Sequence, residues 1–219
     1  MSEVRRPRRI LPFKFLALRR RFGNRPFRLL DVGAGNHAST NTKAAFPNCV
    51  YSGIDLHRDY NNTDADIAAM DAFYEMDLTK LEFGAIPDRA FDAILVAHVI
   101  EHLPNGDDVL LGLVPKLAPG GLLYVEFPGP RSLRLPSMKG TLNFHDDETH
   151  VRVFTAQEVA GVLAGAGLAV RAAGTRRDWR GIVFFPFKVI HARFRYGFVP
   201  GSAFWDLLGF AEFVLAERA

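Results

Sequence analysis

The run Arg28-Leu-Leu-Asp31-Val-Gly33-Ala-Gly35-Asn36 couples a short apolar strand to a two-glycine turn, and a helix can follow at once. Glycine reaches backbone conformations closed to other residues and lets the main chain approach a ligand. A strand–turn–helix unit of this kind belongs to an open sheet whose strands are buried on both faces. Asp31, two residues before Gly33, is a carboxylate available to a cationic group on a ligand held by the turn.

Strands and helices alternate downstream. Strands are expected at 27–32, 50–54, 73–77, 91–97, 122–127, 168–174 and 212–217, with helices at 38–46, 106–117 and 156–166 and a loop at 59–66. Thr155 is placed to cap the third helix and Gly165/Gly167 to close it. The fold class is α/β, a doubly wound, mostly parallel seven-stranded sheet. A chain of 219 residues, 48% hydrophobic, can bury one such core. The division expected is a basic extension (1–26) and one domain (27–219), interrupted by an aromatic, basic insert at 176–208.

The net charge of +3 is unevenly spread: residues 1–28 hold 10 Arg/Lys against one acid, Glu3. The remainder of the chain is acidic. The extension is expected to be a solvated, partly disordered arm, ahead of contact with an anionic membrane, with nucleic acid third. The single Cys49 excludes an internal disulfide framework and fits a reducing compartment. No apolar run approaches the ~20 residues of a membrane span, and no signal peptide is expected. The expected location is the cytoplasm, with peripheral membrane contact as the variant.

Gly33-x-Gly35-x-x-Ala38 also fits a dinucleotide turn. Asp55 ends the second strand, 20 residues past Gly35, where a carboxylate can accept from both ribose hydroxyls, and this fits either ligand class. Asp77, after the third strand, is placed to meet an adenine amino group. The absence of any Tyr-x-x-x-Lys pair removes the commonest short-chain dehydrogenase chemistry.

The ordered set Leu30-Asp31-Val-Gly33-Ala-Gly35, Gly53-Ile-Asp55-Leu56, Met76-Asp77-Leu78, Phe91-Asp92…His98-Val-Ile-Glu101-His102-Leu103, Lys116-Leu-Ala-Pro119-Gly120-Gly121 and Asp147-Glu-Thr-His150-Val-Arg152-Val-Phe-Thr155 resembles the class I S-adenosylmethionine-dependent methyltransferases of the type-11/type-23 group. It covers roughly residues 27–170. The resemblance implies S-adenosyl-L-methionine as cofactor. In it, Gly33 and Gly35 approach the methionine part, Asp31 lies near its ammonium and Asp55 holds the ribose. Leu56 belongs to the same binding set, Asp77 and Leu78 flank the adenine, and Ala97 and His98 face the reacting side. One position departs from the pattern: His37 stands where a third glycine is usual.

Methyl transfer from a sulfonium rests largely on positioning, and a base assists when the acceptor is a hydroxyl. His98, His102, His145 and His150 all fall near the carboxyl edge of the expected sheet. His145 and His98 rank first as catalytic, substrate-contacting residues. His102 and His150 have packing roles as their alternatives. The spacing His98-x-x-Glu101-His102…His150 resembles a metal-ligand set of small-RNA 2′-O-methyltransferases, with His98 in place of its first Glu; no metal is assigned.

The acceptor expected is a hydroxyl on a small molecule, glycan or lipid-linked intermediate. N-methylation, RNA 2′-O-methylation and non-catalytic binding of the cofactor are the alternatives. The 176–208 insert reads either as a satellite core or homodimer surface, or as a wall or interfacial segment for an apolar acceptor.

Overall fold

The computed structural model describes residues 11–219. In chain order the elements are α1 (Lys14–Phe22), β1 (Phe27–Val32), α2 (Ala38–Ala45), β2 (Cys49–Asp55), α3 (Asp64–Ala68), β3 (Ala72–Glu75), β4 (Phe91–Ala97), α4 (Gly106–Leu113), β5 (Leu117–Pro128), α5 (Ala156–Gly165), β6 (Leu168–Thr175), α6 (Trp179–Val183), α7 (Phe185–Tyr196), α8 (Trp205–Leu208) and β7 (Ala211–Arg218). One seven-stranded sheet runs in the order β3-β2-β1-β4-β5-β7-β6. Strands β1 to β5 pair in parallel, and β7 lies antiparallel between β5 and β6. This is the doubly wound, mostly parallel sheet the sequence implies.

Alternate residues of each strand serve opposite faces. Leu30 and Val32 of β1 and Ile94 and Val96 of β4 meet Val109, Leu110 and Leu113 of α4 and Val159 and Leu163 of α5. Leu29 of β1 and Ala93 and Leu95 of β4 face the other way, toward Phe15, Leu18, Phe46 and Tyr51. The strand order reverses between β1 and β4, which opens a crevice at their carboxyl ends.

The expectation of a solvated arm fails for the part of the extension that the structure describes. Residues 14–22 form α1, and Phe15 and Leu18, three apart, are buried against the sheet. The aromatic rings of Phe15 and Phe27 meet Phe46 edge-on, both at 5.4 Å. The arginines cover the edge of this contact: Arg19 lies over the Phe46 ring at 4.7 Å, and Arg21 donates to the Gly120 carbonyl at 2.9 Å. The helical spacing of the apolar residues therefore outweighs the charge density. Residues 1–10 of the expected arm lie outside the described residues.

Other differences are local. The stretch 59–66, expected as loop, contains the start of α3, closed by a capping box in which Thr63 and Asp66 bind each other's backbone N–H. A five-residue helix is too short to show an apolar period. The expected helix 106–117 stops at Leu113, and Val114–Lys116, with Pro115, tightens into a 3-10 turn. Strand β5 begins earlier than expected and carries Pro119-Gly120-Gly121 through an irregularity opposite Phe91/Ala93. The insert folds into α6, α7 and α8.

Candidate active site

The glycine turn is built where β1 leaves the sheet. Gly33 has φ +77°, and a Cβ there would come within 2.6 Å of Val99. A Cβ on Gly35 would meet the Tyr60 ring at 2.7 Å. The unusual His37 now has a physical account. Asn36 and His37 both adopt left-handed conformations (φ 56° and 59°), as a third glycine would. They are held there by Asn61, which donates to Asn36, and by Asn62, which accepts from the His37 N–H at 3.1 Å. The His37 ring bonds the buried Asp66 carboxylate at 2.6 Å.

The carboxyl ends of β1, β2, β3 and β4 surround a cavity of about 540 Å³. Gly33, Gly35, Asp55, Leu56, Asp77, Leu78 and His98 all line it. Asp55 is half-buried, accepts from the Leu56 N–H at 2.8 Å, and has its pKa raised by burial. Asp77 accepts from the backbone and hydroxyl of Thr79, which hold its pKa low. Asp31 and Ala97 do not line the cavity. The Asp31 carboxylate is buried below the turn, accepts from the Tyr51 hydroxyl at 2.9 Å, and is pushed up in pKa by desolvation. A larger groove of about 1110 Å³ lies between α1 and the opposite ends of the strands; open sheets bind ligands at their carboxyl edge.

His98 sits in a left-handed conformation (φ 57°) at the end of β4. Its Nδ1 faces Glu101 Oε1 and its Nε2 faces Glu126 Oε1, each at 3.2 Å. Desolvation disfavours the charged ring, but the two carboxylates prevail and raise its pKa to about 9. Despite desolvation, His98 and Arg176 hold Glu126 at about 2. Arg176 donates to Glu126 at 2.8 Å and pairs with Asp206 at 3.0 Å, while the Tyr124 hydroxyl donates to the other Glu126 oxygen. An imidazole engaged at both nitrogens by carboxylates is an imidazolium, a donor and not a base. The His98 expected as a candidate base is therefore a fixed cation in the cavity wall, 4.9 Å from the Trp205 ring.

His145 is exposed and outside the cavity lining. His102 and His150, which the sequence reading ranked behind it, line the cavity beside each other with ring centroids 4.7 Å apart. The His150 Nδ1 lies 2.7 Å from the Phe144 carbonyl, which can only accept, so Nδ1 carries a proton; its Nε2 lies 3.9 Å from Asp147 Oδ2. The Thr149 hydroxyl lies 2.5 Å from Asp147 Oδ1 and donates to it. It accepts in turn from the His102 Nδ1 at 2.8 Å, and in the neutral form of either ring the free lone pair is the one on Nε2. Glu101 completes the group: one donor atom each from Glu101, His102 and His150 lie within 4.8 Å of one another. The Glu101 Oε2 is buried with no hydrogen-bond partner among the described residues. Such a trio has the donor types to hold a divalent cation.

Sequence reasoning did not single out Glu126, Asp206, Tyr60, Thr141 or Phe210, and it placed Arg176 and Trp205 only within the insert read as a wall for the acceptor. Glu126 had a signal, an acid inside an otherwise apolar strand. Thr141, Asp206 and Phe210 lie far from the glycine turn in sequence, and Tyr60 sits in a stretch expected to be loop.

The fold, the glycine turn and the Asp55/Asp77 pair at the β2 and β3 ends define the class I methyltransferase architecture. The chain belongs to the methyltransferase domain family (type 23), whose match spans residues 5–173. It is an S-adenosylmethionine-dependent methyltransferase. No curated protein sequence matches it significantly. Among solved structures it is similar to an S-adenosylmethionine-dependent methyltransferase from Mesorhizobium loti, with TM-score 0.61, 15% identity, and 94% of this chain and 97% of that one covered. A second, from Archaeoglobus fulgidus, has TM-score 0.56, 17% identity and 92% coverage of each chain. The Burkholderia thailandensis 1,6-didemethyltoxoflavin-N1-methyltransferase, solved with S-adenosylhomocysteine, has TM-score 0.56, 17% identity, and 94% and 76% coverage. At these identities the likeness is one of fold.

Proposed function

We propose that this methyltransferase transfers the methyl group to a hydroxyl on a small-molecule, glycan or lipid-linked acceptor. The observation that carries this reading is the pair of imidazoles, His102 and His150, each with its Nδ1–H engaged so that the neutral ring offers its lone pair at Nε2, in the lining of the cavity that also contains Asp55 and Asp77. The bound S-adenosylmethionine supplies a methyl group already activated on a positively charged sulfur. The glycine turn with Tyr60 above it receives the methionine part. Asp55 accepts from the ribose hydroxyls, and Asp77 and Leu78 flank the adenine. Asp31 supports the turn from below. The acceptor hydroxyl would be oriented by the Trp205–Phe210 stack (4.6 Å between centroids) and would give its proton to an Nε2 of His102 or His150 as the C–O bond forms and the methyl–sulfur bond breaks, its electron pair leaving with the sulfur of S-adenosylhomocysteine. The imidazolium of His98, neutralised by Glu101 and Glu126, fixes the cavity wall and does not move a proton.

The test is transfer of a labelled methyl group from the cofactor into separated lipid, glycan, RNA and small-molecule pools. Base-stable, ether-linked label in a lipid, glycan or small-molecule pool is the expected outcome. Label confined to RNA or to amines would contradict it.

A further inference from the structure

Helix α7 has two apolar faces, and only one of them is used. Phe185 packs edge-on against Phe204 at 5.0 Å, and Ala192 is buried, so this face docks on the body. On the opposite face Phe187, Ile190 and Phe194, spaced i, i+3 and i+7, are 68%, 54% and 87% exposed. Val183, the last residue of α6, is also 59% exposed. Aromatic side chains of this size are not left in water in a row by a chain with room to bury them.

The flanks of the stripe are cationic. On a helical projection Arg193 lies on one side, and Lys188 and Arg195 lie on the other. Arg193 and Arg195 make no ion pair among the described residues, while Lys188 is 3.6 Å from Asp206. From Trp179 to Trp205 the sequence contains no Asp or Glu. A two-fold contact between copies of this helix would set these cations against themselves. An anionic lipid surface matches both parts of the pattern, since the apolar stripe enters the acyl boundary while the flanking cations meet headgroup phosphates.

We propose that α7 docks this protein on an anionic membrane surface, with Phe187, Ile190 and Phe194 inserted and Arg193 and Arg195 on the headgroups. The inference rests on the surface alone and stands apart from the acceptor assignment.

The test is cosedimentation of the full chain with phosphatidylcholine vesicles, with and without phosphatidylglycerol. Binding to the anionic vesicles is expected, weakened at least about tenfold on neutral ones or by R193E combined with R195E. F187E combined with I190E abolishes it, with S-adenosylhomocysteine binding kept as the check on folding. A second measurement needs no charge-introducing variant: an environment-sensitive dye on I190C, selective because Cys49 is buried, shifts to shorter wavelength on anionic vesicles. No binding by the wild type, or no dye shift, overturns the proposal. So does unchanged binding by the α7 variants, including the case in which only removal of residues 1–10 abolishes it. A dimer in light scattering that F187E dissociates would instead make the stripe an interface between copies, and would equally overturn it.

Discussion

The Nε2 of His98 lies 3.2 Å from Oε1 of Glu126, an acid buried near the carboxyl end of β5. The pair explains a left-handed histidine at the end of a strand, because the ring must turn back to reach both Glu126 and Glu101. A raised histidine pKa contributes stability that is fully present below the unfolded value of 6.5 and is lost as pH rises through about 9. A lowered glutamate pKa contributes stability present above 4.5 and lost as pH falls through about 2. Denaturant unfolding should therefore show a stability decline between neutral pH and about 9 that E126Q shifts to lower pH. A wild-type stability flat across that range would contradict the pairing.

The packing of α1 makes part of the basic extension structural. F15A should lower unfolding free energy by about 3–5 kcal/mol, as for other buried phenylalanines. The change is read from the urea unfolding midpoint.

If His102 and His150 accept the proton, H150Q and H102Q each lower kcat by about 10²-fold or more while leaving S-adenosylhomocysteine affinity within about twofold. H145Q, whose side chain is exposed outside the cavity, leaves kcat unchanged. Single-turnover methyl transfer measures all three. A loss with H145Q and none with H150Q or H102Q would restore the order that the sequence alone implies.

Glu101, His102 and His150 form a trio with metal-binding donor types. In the proton-acceptor reading, activity survives exhaustive treatment with a chelator and no divalent metal copurifies by elemental analysis. Loss of activity on chelation, restored by one metal, would replace proton acceptance by metal activation of the acceptor.

How much of this was legible in the sequence differs by element. Strand β4 declares itself because Ala93–Val96 is buried on both faces and so reads as an unbroken apolar run. Asp55 and Asp77 could be placed because each follows a strand end, where chain direction brings it to the sheet edge. The identity of the imidazoles that hold lone pairs could not be read. It depends on a carbonyl at Phe144 and a hydroxyl at Thr149 meeting rings at His150 and His102, the latter 47 positions away along the chain. The same holds for His98, whose charge is set by Glu126, 28 residues on, and through it by Arg176. At the N-terminus composition misled, since the charge of α1 hid a buried Phe15/Leu18 pair.

The account stands or falls on Asp55 and the cavity around it. Calorimetric titration with S-adenosylhomocysteine, comparing the wild type with D55A, measures this directly. Removing a carboxylate that accepts from two ribose hydroxyls should weaken binding by at least about tenfold, with NAD showing no binding to either protein. Equal affinity of wild type and D55A for S-adenosylhomocysteine would contradict the site.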